Sequence, residues 1–92
     1  MAQGRKFRFG IQAANAPSGE AWRALARKVE GLGYSTLFIP DHFGEQLAPV
    51  PALMAAADAT TALRIGGLVL DNDYRHPVVL AKEMATLDLL SG

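Results

Sequence analysis

Three short apolar runs recur along the chain: Phe7 to Gln12, Thr36 to Pro40 and Arg64 to Leu70, starting 29 and 28 residues apart. In the first, Phe7, Phe9 and Ile11 alternate with Arg8, Gly10 and Gln12, the period-two pattern of a strand with one buried face. The second, Thr36-Leu37-Phe38-Ile39, is apolar on both faces, as a strand covered by helices on one side and a sheet or barrel core on the other should be. In the third, Gly66 and Gly67 weaken the strand and predict a bulge or a close approach of another group to its backbone.

Each run is followed by a turn and a segment of helical period. Ser18 is a good N-cap for a helix running to Leu32, with Trp22, Leu25, Ala26, Val29 and Leu32 on one apolar stripe and Gly33 as its left-handed stop. At that spacing Trp22 reads as core, not as a stacking platform. A second helix is expected over the Ala-rich stretch Ala52 to Thr60, with Pro51 at its first position, where the missing N–H costs nothing. A third opens at Pro77 and runs through Leu80, Met84 and Leu87 toward Leu90, its apolar face broad enough to be well buried or to meet a partner. Strand, helix and strand in this rhythm predict an α/β fold of βαβ units with parallel strands, in one domain spanning 1–92.

Composition narrows the class without changing the pattern. Half of the 92 residues are hydrophobic and a fifth charged, which is globular rather than disordered. Nine Lys and Arg balance nine Asp and Glu, so the basic excess of a nucleic-acid surface is missing, and little net charge keeps copies apart. There is no cysteine and no apolar run near a membrane span, and Met1 to Phe9 carries Arg5, Lys6 and Arg8 rather than a signal peptide. The expectation is a cytoplasmic protein that engages neither nucleic acid nor membrane.

In parallel α/β folds ligands bind beyond the carboxyl ends of the strands. That rule selects Gln12 to Asn15, then Asp41, His42 and Phe43, then Asp71, Asn72, Asp73 and Tyr74. An imidazole can take or give a proton at working pH, so His42 is the strongest chemical candidate, with Asp41 beside it to orient the loop or hold charge. A plain turn, with Asp41 bonding its own backbone, is the competing reading. The Asp71-x-Asp73 spacing with His42 is too common to predict a metal site, and none is expected. His76, before Pro77, reads as a solvated turn residue. The chain has no G-x-G-x-x-G and no phosphate-cradling P-loop, and Gly31-x-Gly33 ends a helix instead of opening one.

The stretch from Glu30-Gly31-Leu32-Gly33-Tyr34 through Ile39-Pro40-Asp41-His42-Phe43 resembles the first helix, second strand and following loop of the luciferase-like monooxygenases. Tyr74-Arg75-His76-Pro77 through Lys82, with Ala85 to Gly92, is similar to the third helix of that group, above all its branch using the deazaflavin coenzyme F420. The resemblance implies three successive βα units of a TIM (β/α)8 barrel and an oxidoreductase lineage, with F420 as cofactor and FMN as the alternative. It implies that His42 faces the reactive edge of the redox ring and shuttles a proton during hydride transfer to or from a small-molecule substrate, with Asp41 beside it. Gly67, Leu68 and Val69 would support the ring, through a bulge with a non-prolyl cis peptide, and Gln12 and Asn15 would line the substrate side.

Eight such units need roughly 250 residues. The expectation is therefore an incomplete barrel, the N-terminal portion of such an enzyme, whose isolated chain holds a cofactor weakly or not at all. The alternative is a non-catalytic remnant that covers its open strand edges by self-association or by pairing with another chain.

Overall fold

The computed structural model describes residues 7–71 and 73–92. Arg5 and Lys6 of the basic leader, and Asn72 of the third loop, lie outside the described residues. The element order is β1 (Gly10–Gln12), α1 (Gly19–Gly31), β2 (Thr36–Ile39), α2 (Pro49–Ala59), β3 (Arg64–Gly67) and α3 (Pro77–Ser91). The strands form one parallel sheet in the order β1-β2-β3, with Ile11 opposite Leu37 and Leu37 opposite Ile65. This is the expected set of βα units.

Because side chains alternate across a strand, this register puts Ile11, Leu37, Ile39 and Ile65 on one face and Gly10, Phe38 and Gly66 on the other. Leu37 and Ile39 are fully buried with Trp22, Ala26 and Val29 of α1 and Leu53, Ala56 and Ala57 of α2. The indole of Trp22 packs in this core and its Nε1–H donates to the Ala52 carbonyl at 2.8 Å, joining α1 to α2. On the opposite face the Phe38 ring spreads across both neighbouring strands. A Cβ at Gly10 would collide with it, and one at Gly66 would touch it at 3.7 Å. The close approach predicted from the glycines is thus made by the protein's own side chains, since Leu70 folds back onto Gly67 in the same way.

Several boundaries differ from the sequence pattern. The first strand begins at Gly10, and Phe7, Phe9 and Ile11 are all exposed rather than on a buried face. Helix α1 leans on β2 and α2 on β3, which leaves the flank of β1 thinly covered. The third strand ends at Gly67, because Leu68 makes the last ladder bond, to the Ile39 carbonyl at 2.9 Å, before the chain bends. Helix α2 begins at Pro49, with Pro51 two residues inside; neither position has an intrahelical acceptor to lose. Leu32 is the C-cap of α1 and exposed, so the apolar stripe stops at Val29. On α3 only Leu87 is buried, while Val78, Val79, Leu89 and Leu90 remain exposed.

The caps of α1 follow the sequence, while His76, expected as a solvated turn residue, is the N-cap of α3. Ser18 Oγ accepts from Ala21 N–H at 3.0 Å, and Gly33 takes a left-handed φ of 92°. His76 caps α3 by accepting from Val78 N–H through Nδ1 at 3.1 Å.

At the amino end of the sheet, one carboxylate oxygen of Glu30 accepts from the backbone N–H of Thr61 (3.0 Å), Ala62 (2.6 Å) and Leu63 (2.8 Å). The turn leading into β3 is thereby tied to the end of α1. These donors, Ala62 foremost, outweigh partial desolvation and hold the Glu30 carboxyl below its ordinary value.

Trp22→Ala should cost about 3–5 kcal/mol from the cavity it leaves. Trp22→Phe, which keeps most of the volume but loses the bond to Ala52, should cost about 1 kcal/mol for that bond. Urea unfolding followed by circular dichroism measures both.

Candidate functional site

The carboxyl ends of the three strands open into three loops, and side-chain hydrogen bonds lace them together. Asp41, the second residue beyond β2, is 6% exposed. Its carboxylate takes both arms of the Arg75 guanidinium, Nη1 on Oδ2 and Nη2 on Oδ1 at 3.1 Å. Oδ2 also accepts from the Asp71 backbone N–H at 2.7 Å. The Arg75 guanidinium holds the Asp41 carboxyl below its ordinary value against the opposing pull of desolvation, with the Asp71 N–H assisting. Arg75 is in turn held more firmly protonated by Asp41.

Two residues after Asp41 and one before Arg75, Phe43 and Tyr74 bring their rings to 4.3 Å between centroids, tilted by 42°. His42 thus sits between two residues that are each fastened to the β3 loop. Its backbone N–H donates to Gln46 Oε1 at 3.1 Å, while Gln46 Nε2 donates to the carbonyls of Pro40 (2.7 Å) and Leu47 (2.9 Å). The imidazole itself is exposed.

Beside it the chain leaves β3 through Leu68 and Val69, which are 48% and 72% exposed and joined by a cis peptide bond. Asp41, His42, Leu68, Val69, Leu70, Asp71 and Tyr74 line a recess of about 530 Å³. Its apolar shelf, aromatic side and single imidazole suit a flat conjugated ring better than a phosphate or a metal ion. Among the described residues no three His, Asp or Glu side chains gather as metal ligands, and Asp71 Oδ1 accepts from Asp73 N–H at 2.9 Å.

The residues proposed from the sequence divide into two groups. His42, Leu68 and Val69 meet at the recess, with Asp41 forming its buried floor. Gly67 lies just behind, opposite Ile39, and the space a side chain would need there is filled by Leu70. Gln12 reaches the same edge by donating through Nε2 to the Leu68 carbonyl at 3.1 Å. Asn15 is turned instead to loop structure, accepting from Ala16 N–H at 2.9 Å and donating to the Glu45 carbonyl at 3.4 Å.

Arg75 and Gln46 were not singled out from the sequence. The available signal for Arg75 was charge: a lone cation in the loop after the third strand, facing a loop that carries a strand-end aspartate.

Removing the cation of Arg75 (Arg75→Met) strands a buried carboxylate and should destabilise the chain by about 3–5 kcal/mol. Asp41 and Glu30 both have folded-state values below those of the unfolded chain. The stability they lend is complete above the ordinary carboxylate range, about pH 4, and drains as pH falls through the depressed folded values. Thermal unfolding in a pH series should show a falling midpoint on the acid side, with a shallower fall in Glu30→Gln.

The family model of luciferase-like monooxygenases matches residues 6–92. A 4-hydroxyprotoasukamycin monooxygenase from Streptomyces nodosus subsp. asukaensis is 30% identical over 82 residues, covering 83% of this chain and 22% of its own length. The structure of a coenzyme F420-dependent tetrahydromethanopterin reductase from Methanopyrus kandleri superposes with a TM-score of 0.80 at 26% identity, over 91% of this chain and 24% of that one. The chain therefore spans under a quarter of each of these relatives.

Proposed function

Because this chain belongs to the luciferase-like monooxygenase family, we propose that its three strand ends form one wall of an oxidoreductase site that receives a redox ring, with coenzyme F420 as the first candidate and FMN as the alternative. The observation that carries the reading is the recess in which an exposed imidazole, the apolar Leu68–Val69 shelf and Tyr74 converge at the carboxyl edge of a parallel sheet. The F420-dependent reductase among its structural relatives supports the choice of ring. Bound there, such a ring supplies hydride-transfer chemistry, and the protein supplies orientation.

In this reading His42 holds or delivers the proton that accompanies transfer to or from a small-molecule substrate. Asp41 is a positioning residue. Both of its oxygens are engaged and it is buried, so it fixes the backbone on which His42 stands instead of exchanging protons itself. Leu68 and Val69 keep water from one side of the ring. Gly67 lets Leu70 fold beneath them.

These 92 residues offer a ring contact from one side only, and hydride transfer needs donor and acceptor held in near-attack geometry. Titration of the isolated chain with FMN and with F420 should give no stoichiometric micromolar complex. At millimolar ring the NMR shift changes should centre on His42, Leu68, Val69 and Tyr74; changes centred elsewhere would refute the reading. In any assay where the chain turns over a substrate, alone or with another polypeptide, His42→Ala should lower kcat about 100-fold or more while leaving the unfolding midpoint unchanged.

A second reading, association with another copy, is favoured by the exposed Val78, Val79, Leu89 and Leu90 of α3, by the apolar groove that Val50 and Met54 help to line, and by zero net charge. A concentration series in analytical ultracentrifugation should show mass rising with concentration. A single monomeric species throughout would dismiss it.

A further inference from the structure

Gln12 is the last residue of β1, and its ladder partner is Phe38 on the central strand. Its side chain passes β2 and donates through Nε2 to the carbonyl of Leu68, 56 residues away on the far side of the sheet, at 3.1 Å. This is a side-chain tie between the end of β1 and the segment that leaves β3. The ladder cannot make that connection, because β1 and β3 are not neighbours. The Leu68 carbonyl belongs to the peptide plane that carries the Val69 N–H. Fixing the oxygen therefore fixes the direction of that plane at the edge of the recess lined by Leu68 and Val69.

We infer that Gln12 is a positioning residue: its amide sets the orientation of the Leu68–Val69 shelf from across the sheet, and only a hydrogen-bond donor at this position can do so. The inference rests on the reading of that shelf as the seat of a redox ring. A Gln amide suits the task because it spans the distance without charge and needs no desolvated partner. The residue that the resemblance assigned to the substrate side is thereby joined physically to the residues it assigned to the cofactor side.

The test compares Gln12→Leu, which removes the donor, and Gln12→Glu, which sets a carboxylate against a carbonyl oxygen, with Gln12→Lys, which keeps a donor on a stem of at least equal reach. Two quantities are measured on the intact 92-residue chain: the backbone amide shift of Val69 without ligand, and the dissociation constant for FMN, and separately for F420, from NMR titration. Gln12→Leu and Gln12→Glu should move the Val69 amide and weaken ring binding about 2- to 10-fold, the value of one hydrogen bond. Gln12→Lys should restore both, and the urea midpoint should not track these changes.

A Val69 amide unmoved in Gln12→Leu, or equal loss in Gln12→Lys, overturns the role of Gln12 while leaving the ring seat standing. A Val69 amide that moves as expected, with ring-induced shifts in the unsubstituted chain falling away from Leu68 and Val69, overturns the ring seat and with it the purpose assigned to Gln12.

Discussion

A carboxylate as deeply covered as Asp41 needs a partner, since leaving it uncompensated in the interior would cost several kcal/mol. Arg75 satisfies both of its oxygens, and the Asp71 N–H adds a third bond. The cation comes from the loop after β3 and the anion from the loop after β2, so the desolvation cost of one group dictates the relative position of two loops. Everything at the carboxyl edge inherits that constraint. His42 follows Asp41, Phe43 closes on Tyr74, and the recess exists because these loops are held at a fixed separation.

The same device operates at the other end of the sheet in a different chemical form. There, three backbone N–H groups of the turn into β3 converge on Glu30 at the end of α1. Between these anchors lies an asymmetric sheet. One face is sealed by Trp22, Leu37, Ile39 and Leu53, and the other carries the Phe38 ring resting over two glycines. Acidic anchors at both ends flank the parallel ladder that sets β3 against β2, and the shelf at Leu68 and Val69 is the continuation of that strand.

The family model of the luciferase-like monooxygenases covers both loops that carry these features. Two parts of the stretches that carry the family resemblance, Asp41-His42-Phe43 and Tyr74-Arg75-His76-Pro77, are two halves of one clasp. The fold pairs them by charge and by ring: Asp41 meets Arg75 and Phe43 meets Tyr74. A site assembled from strand ends leaves its chemistry to loops, and loops need fastening before they can orient a ligand.

Local periodicity was enough to read the six elements, the core role of Trp22 and the caps at Ser18 and Gly33, because each depends on residues two to four positions apart, and the alternation of strand with helix then implied the parallel arrangement. Strand ends were read too long, at Phe7 and at Leu70, because a strand lasts only while a neighbour supplies ladder partners, and no local pattern records where the neighbour stops. His42 was legible as a candidate from its place after an apolar run, and Leu68 and Val69, inside the third run, only from the family resemblance. Arg75, Gln46 and the Gln12 bond to Leu68 were not. For Arg75 and Gln12 the partners lie across the fold, 34 residues away for Asp41 and Arg75 and 56 for Gln12 and Leu68, while Gln46 bonds within its own irregular loop to His42, Pro40 and Leu47, where no period marks it. Such pairings follow from strand register and from the burial of one carboxylate, and these exist only once the sheet has formed and water has been excluded from its edge.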